Sequence, residues 1–453
     1  MAARKAYLSK LRQDAASIFH AGLKAVNAEA AVLSACRVED EHLHTPAGAI
    51  DLSAIARIYV IGAGKASADM AAAIERLLGE RVTAGAMTVK YGHSRELKRI
   101  RLTEAGHPIP DQNGLDGSRR ILEIADTAAA DDLVICLISG GGSALMPLPQ
   151  PPLTLSDKQQ TIQALMDCGA GINEINAIRK HLSAIKGGRL AGRIFPAAAL
   201  TLIVSDVIGD SLDVIASGPT VPDTSRFSDC LQIIKTYQIR NRLPEAVFDH
   251  LSAGAAGALE ETPKADAEAF KNTRNAIVAS SRTALARAKE AAVALGYNSL
   301  ILSALIQGET KDAARVHAAI AMEIRQTGNP ASPPACLLSG GETTVTIHGR
   351  GKGGRNQEFA LAAALDIAGE PGIVILSGGT DGTDGPTDAA GAVVDANTVQ
   401  NALDAGLSPL AHLQANNAYP FFEQTGELLM TGPTGTNVMD LRIVLVDSKT
   451  EEI

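Results

Sequence analysis

Three apolar runs in this chain end in the same way: residues 136–145 read CLISGGGSAL, residues 336–345 CLLSGGETTV and residues 374–383 VILSGGTDGT. A short apolar run bounded by glycines is a strand buried on both faces, and such strands belong to α/β folds whose helices cover the sheet. The glycines let the backbone turn sharply at the strand's carboxyl end, where α/β proteins place their ligands. No fixed period of about 20–50 residues links the three runs, so one solution is reused and this is not a repeat protein.

The first half of the chain applies that solution twice. A strand at 57–61 runs into GAGKAS, residues 62–67, and a helix pattern follows from 68 to 78. Gly62 and Gly64 make the turn, and Lys65 points into the crevice beside it. GHPIPD at 106–111 demands a rigid, extended turn. The strand at 133–138 then empties into Ser139, Gly140, Gly141, Gly142 and Ser143, a loop rich in backbone donors. Residues 172–193 are helical in period, which places Arg179, Ser183 and Lys186 on one cationic face and ends the helix at Lys186-Gly187-Gly188. A solvated basic face is the competing reading. Asp206 and Asp210 lie just past the strand at 199–204.

The stretch 244–265 turns polar and rich in Gly, Ala and Glu, and it divides the chain into α/β domains at 1–250 and 265–453. In the second, Ser339-Gly340-Gly341-Glu342 leads through a β-branched run at 343–347 to GRGKGGR at 349–355 and a helix over 357–368. Glycines, the cations Lys352 and Arg355, and a helix N-terminus together describe a phosphate clamp, with Gly354 at the helix entry. The alternative is a solvated hairpin. The Asp-rich loop 380–388 offers Asp381 and Asp384 as metal ligands, although turn-forming or helix-capping roles compete for Asp384 and Asp388.

A net charge of −9 argues against nucleic acid as the main partner, so local cations are sites for small anions. The five cysteines are scattered without CxxC spacing, which fits reduced thiols in a cytoplasm, and no run reaches the length of a membrane span. A homodimer is compatible with all of this. Phosphoryl transfer needs donor-rich loops, cations and carboxylates, and the chain supplies all three. Its rival is a nicotinamide-dependent hydroxypyruvate reductase, because strand-GAGKAS-helix half matches a dinucleotide fingerprint. Ser67 stands where the third glycine would be, however, and the next strand ends in Lys90 without a ribose-binding acid.

GAGKAS, GHPIPD, SGGGSAL, NAIRKHLSAIKGGRLAG, SDVIGD, IASGPTVPD, LSGGETTVTIHGRGKGGRNQEFALA and SGGTDGTDGPTDAAGA together resemble the glycerate 2-kinase family of the MOFRL type, in order and over nearly the whole chain. The resemblance implies an N-terminal Rossmann-like domain with a three-layer parallel sheet, a C-terminal MOFRL-type α/β domain, and an active site in the cleft between them. It implies ATP and Mg²⁺ as cofactors and D-glycerate as the acceptor, phosphorylated to 2-phosphoglycerate. The family's essential Lys and Arg correspond to Lys65 and Arg355, which would neutralise one transferring phosphoryl group; the loop 139–143 would cradle phosphate or glycerate oxygens, and Asp206 or Asp381 would serve as base or metal ligand. One departure is visible: Met439 stands where the family's tail motif reads GTNVND.

Overall fold

The structure is a computed structural model that describes residues 2–447. It forms two compact units, Ala28–Val278 and a second built from Met1–Asn27 with Ala279–Ile453. The division therefore falls at 278/279 and not in the polar stretch 244–265, and the opening helix belongs to the second half. The polar stretch misleads because its helix Glu245–Ala255 still buries Val247 and Leu251 in the first unit's core, and Thr273–Ala279 supplies that unit's last strand. Helix α1 (Ala2–Ala25) buries Leu11, Ile18 and Phe19 with Leu441, Ile443 and Leu445 of the second unit.

In the first unit, β1 (Ile58–Ala63), β2 (Val82–Lys90), β3 (Ile100–Ala105), β4 (Leu133–Ile138), β5 (Ala198–Val204) and β6 (Thr273–Ala279) lie in the order β3-β2-β1-β4-β5-β6. The pairs joining β3, β2, β1, β4 and β5 are all parallel. Every residue of β1 and β4 is buried, as a strand covered on both faces requires. Helix α2 (Ser67–Leu78) follows β1, and α3 (Gln112–Thr127) packs Leu115, Ile121 and Ala125 on the face carrying Tyr59, Ile61 and Ala63. Each leucine and isoleucine among them contributes roughly 1.5–3 kcal/mol by leaving water. Helices α4 (Gly142–Leu145), α5 (Leu155–Asp167) and α6 (Ile172–His181) stand beyond the carboxyl end of β4.

Helix α6 stops at His181, five residues before the expected end. Residues 182–184 leave it to pair with 148–150: Gln150 N–H donates to Leu182 O (3.0 Å) and Ala184 N–H to Leu148 O (3.1 Å). Ser183 Oγ then accepts from the backbone N–H of Lys186 at 3.3 Å, which fixes the turn that a continuous helix would have occupied.

The second unit contains α7 (Ser281–Ala294), β7 (Asn298–Ile306), α8 (Thr310–Thr327), β8 (Ala335–Gly341), α9 (Arg355–Asp366), β9 (Ile373–Gly379), β10 (Gly391–Asp395), β11 (Leu428–Leu429) and β12 (Asp440–Val446). Its sheet order is β7-β8-β12-β9-β10-β11, with the last-formed strand in the middle and antiparallel to both neighbours. That register sets Gly341 and Gly379 beside Asp440, and Ser339 and Ser377 beside Arg442. Two of the three Ser-Gly-Gly ends thus flank one polar strand start. The β-branched run at 343–347 forms no strand. Because β12 begins opposite Gly341, no ladder continues on that side; Thr344 forms one isolated bridge to Glu309, Thr346 Oγ1 donates to the Glu309 carboxylate (2.7 Å), and Ile347 is 77% exposed. Among the described residues no helix is long and apolar enough to cross a membrane.

Candidate active site

Strands β1 and β4 run in register, so their glycine loops emerge side by side. Lys65 N–H donates to Gly140 O (2.9 Å) and Ala66 N–H to Ser139 Oγ (3.0 Å). A Cβ on Gly64 would lie 2.1 Å from that hydroxyl, and one on Gly62 would lie 2.0 Å from Leu137 O. Gly62, Gly64 and Ser139 are therefore occupied in knitting the two loops together, and Ser139 is buried; none of the three presents itself to a ligand as the sequence suggested. Next to them the contacts change character. A Cβ on Gly140 would meet Asp206 Oδ2 at 2.1 Å, and one on Gly141, whose φ is +80°, would meet His107 Cδ2 at 2.8 Å and Lys65 Cγ at 3.4 Å. Lys65, His107 and Asp206 are gathered over bare backbone. Burial, and then the charge of Lys65, pull the His107 pKa down to about 4, so the imidazole is neutral near pH 7. His107 was not anticipated; a histidine opening a proline turn just past β3 was the available signal.

The same loop continues into a pocket of about 400 Å³ between α4, α5 and α6, where Ser143, Arg179 and Lys186 meet. The helix face predicted for Arg179 and Lys186 does not exist, yet the turn at 182–186 delivers both to one place. With them is Lys158, absent from the sequence reading, although it shares the buried face of α5 with Thr161 and Leu165 and stands out there as a cation at an apolar position. Lys158 Nζ donates to Pro147 O (2.7 Å), Lys186 Nζ to Ala216 O (3.4 Å) and Arg179 Nη1 to Asn176 Oδ1 (3.3 Å). Burial followed by the charge of Arg179 pulls Lys158 down to about 7; burial also pulls Lys186 well below its ordinary value, with Lys158 and Arg179 adding to the effect. The turn that receives Lys186 is strained, since Ala216 and Ser217 hold φ of 50° and 60° without being glycine. Ser217 Oγ lies 3.0 Å from Ser143 Oγ.

In the second unit Arg355 is the first residue of α9. Its Nε donates to both Asp440 oxygens (2.9 and 3.0 Å), and its Nη1 lies 2.7 Å from Glu342 Oε1. Burial alone would lower its pKa, but the charges of Asp440 and Glu342 outweigh burial and raise it. Asp440 is itself buried, and Asn356 Nδ2 (2.9 Å) and Arg442 Nη2 (2.8 Å) donate to it as well.

Several residues expected to bind ligand have other duties here. Asp384 caps α9, accepting from the backbone N–H of Asn356 (3.0 Å) and of Gln357 (2.9 Å) with its two oxygens, which is the helix-capping role that competes with metal binding at this position. Gly354 admits that carboxylate, because a Cβ there would lie 2.3 Å from Asp384 Cγ. Gly340 and Gly341 lie inside β8; Cβ atoms there would meet Ser281 Oγ at 2.2 Å and Ile306 O at 2.3 Å, so close packing explains both. Lys352 is exposed and rests its Nζ 4.2 Å from the Tyr419 ring centroid. Asp381 is half-buried, with Oδ1 accepting from Thr383 N–H (3.1 Å) in an Asx turn. Among the described residues no three His, Cys, Asp or Glu side chains form a ready-made cation cage.

The sequence pattern of a domain of unknown function (DUF4147) matches residues 14–252, and that of the MOFRL family matches residues 335–440. The glycerate 2-kinase of Pyrococcus horikoshii is 42% identical over 428 residues, covering 94% of this chain and 95% of its own. This chain belongs to the glycerate 2-kinase family. The crystal structure of the glycerate kinase from Thermotoga maritima has the same fold, with a TM-score of 0.88 at 39% identity over 97% of this chain and 100% of that one. The expected pairing of a Rossmann-like parallel sheet with a MOFRL-type α/β domain holds. A protein of Agrobacterium vitis, 44% identical over 392 residues (86% of this chain, 87% of its own), is named provisionally as a hydroxypyruvate reductase. That name is a second label within one family, and the reductase reading falls with it.

Proposed function

We propose that this chain transfers the γ-phosphoryl group of ATP to the C2 hydroxyl of D-glycerate, giving 2-phosphoglycerate. The observation that carries this reading is the gathering of Lys65, His107 and Asp206 over glycines 140 and 141 at the carboxyl edge of a parallel sheet: a cation for the transferring charge, a carboxylate for the hydroxyl proton, and glycines that let those side chains converge. Asp206 takes that proton, which strengthens the attacking oxygen. Lys65 neutralises the charge that develops on the phosphoryl oxygens; in the second unit Arg355, held rigidly by Asp440 and Glu342, is a cation of the kind that phosphate requires. His107, neutral beside Lys65, can donate one hydrogen bond without adding repulsion.

Mg²⁺ is normally held by one or two carboxylates together with substrate phosphates, so the lack of a preformed cage is compatible with it. Asp381 fits such a role through the oxygen that its Asx turn does not use, and the ion would there offset phosphate charge. The dinucleotide alternative has a physical obstacle as well. The second fingerprint glycine exists to let a pyrophosphate approach, whereas here the space over Gly64 is filled by Ser139.

Incubation with ATP, Mg²⁺ and D-glycerate should consume ATP only when glycerate is present, and phosphorus NMR should show 2-phosphoglycerate. NAD(P)H oxidation with hydroxypyruvate in the absence of ATP turnover would overturn the reading.

A further inference from the structure

The pocket between α4, α5 and α6 is charged in a way that the protein does not balance. Lys158 is 5% exposed and Lys186 1%, Arg179 lies beside them, and none of the three forms an ion pair among the described residues. Keeping an unpaired cation charged away from water is costly, and like charges close together raise that cost, so burial depresses the basicity of Lys158 and Lys186. A pocket so built is completed by an anion. The rest of its lining is mostly apolar, with Ile109, Ile162, Met166 and three prolines, while Gln159, Gln160 and Gln163 add neutral amides and no carboxylate. Ile109 is 71% and Met166 51% exposed, so the large side chains at the rim have little protein to cover them. The ligand must therefore carry an extended apolar face as well as charge. A three-carbon acid has no such face and would leave most of the 400 Å³ empty.

We propose that this pocket is the donor site, with the phosphates of an adenine nucleotide on Lys158, Arg179 and Lys186 and the base against Ile109 and Met166. The assignment rests on the kinase reading, in which the donor is a nucleoside triphosphate. Ser143 joins the pocket to the catalytic loop, since it lies two residues beyond the glycine that packs under Lys65. The depressed Lys158 pKa fits the same picture: an anion arriving there restores the charge that burial has removed.

The test is calorimetric titration of the full chain with ADP, alongside steady-state kinetics with ATP and D-glycerate, in the wild type, Lys158→Met and Met166→Glu. Each variant should weaken ADP binding and raise the KM for ATP by about tenfold or more, the equivalent of one charge-assisted hydrogen bond, while the KM for D-glycerate stays within about twofold. The thermal midpoint reports whether the variants remain folded. Met166 lies on the rim, so its variant keeps the test open even if Lys158→Met folds poorly. A raised KM for D-glycerate with unchanged ADP affinity would hand the pocket to the acceptor and overturn the proposal, as would two variants that bind ADP like the wild type. A wild type that binds ADP yet phosphorylates no glycerate would instead remove the kinase reading and with it the donor role, and ADP affinity lost in both variants would then mark the pocket as a nucleotide site of another reaction.

Discussion

Arg355 and the Lys158–Arg179–Lys186 group are both partly or wholly buried cations placed for phosphate, and they are built on opposite principles. Arg355 has its counter-charges in the fold, with Asp440 and Glu342 fixing its guanidinium and a second arginine, Arg442, closing the network from below. Its charge is permanent, and its position is set before any ligand arrives. The three cations of the first unit have only carbonyl and amide oxygens for company, so burial and their mutual repulsion oppose their charge. The first arrangement suits a group that must stand still in a transition state. The second suits a group that gains by binding.

The largest effect that sharpens this contrast is kinetic. Lys65→Ala and Arg355→Ala should each lower kcat by on the order of a hundredfold or more, as removal of one preorganised transition-state partner does. Stability should separate them. Lys65→Ala should cost under about 1 kcal/mol, whereas Arg355→Ala takes one donor from buried Asp440 and should cost about 1–2 kcal/mol, limited because Arg442 and Asn356 remain. Equal stability losses in urea would show that Asp440 does not depend on Arg355. If both residues serve one phosphoryl group, the double variant should lose much less than the product of the single losses, and clean multiplication would refute that shared role.

Asp384 and Asp381 extend the comparison to two carboxylates of one loop, three positions apart. Burial pushes the Asp384 pKa up to about 6, in spite of the two backbone N–H groups it accepts from. A carboxylate with a raised folded pKa stabilises most when protonated, so its contribution is full below about pH 4 and is lost as pH rises through about 6, on the order of 2–3 kcal/mol. Subtracting the stability profile of Asp384→Asn from that of the wild type should expose this slope; a flat difference would mean that Asp384 titrates normally. Asp381→Asn should do the reverse, raising the Mg²⁺ concentration for half-maximal activity while barely moving stability. An unchanged Mg²⁺ titration would leave Asp381 its turn-forming role alone.

A smaller change tests the unbalanced pocket without ligand. Lys158→Met replaces a buried ammonium by an apolar chain of similar length, and the free protein should gain about 1 kcal/mol even as ADP affinity falls. A loss of stability would show that the bond to Pro147 O outweighs the burial of charge.

What the sequence disclosed follows from how local each feature is. The strand-glycine-helix units and the cations Lys65 and Arg355 were legible because turn chemistry and helix entry are written in neighbouring residues. The duties of Asp384, Gly340 and Gly341 were not, because they depend on partners far along the chain: the N-terminus of α9 for Asp384, Ser281 and Ile306 for the glycines. Lys158 shows in the sequence only as a cation on a helical stripe shared with Thr161 and Leu165, a pattern that a solvated lysine also gives. The domain boundary failed for a related reason, since composition marks polarity and says nothing about which sheet a strand such as Thr273–Ala279 completes.

The smallest predicted effect concerns Met439, the departure from the family's tail motif. Its φ is 72°, a left-handed conformation that asparagine adopts readily and other L residues at a cost of roughly 1–2 kcal/mol. The carbonyl of that residue accepts from Thr380 N–H (2.9 Å) and Thr380 Oγ1 (2.6 Å), so the conformation is held by the loop that carries Asp381. The methionine side chain is 3% exposed, and its burial returns roughly 1.5–3 kcal/mol. The two terms nearly cancel. Met439→Asn should therefore shift urea stability by no more than about 1 kcal/mol and leave both kcat and the Mg²⁺ titration unchanged, because backbone shape and not the amide is what the position supplies. A variant of unchanged stability with higher kcat would show that the family's amide does reach a ligand, and would place the tail beside Asp381 in the working site.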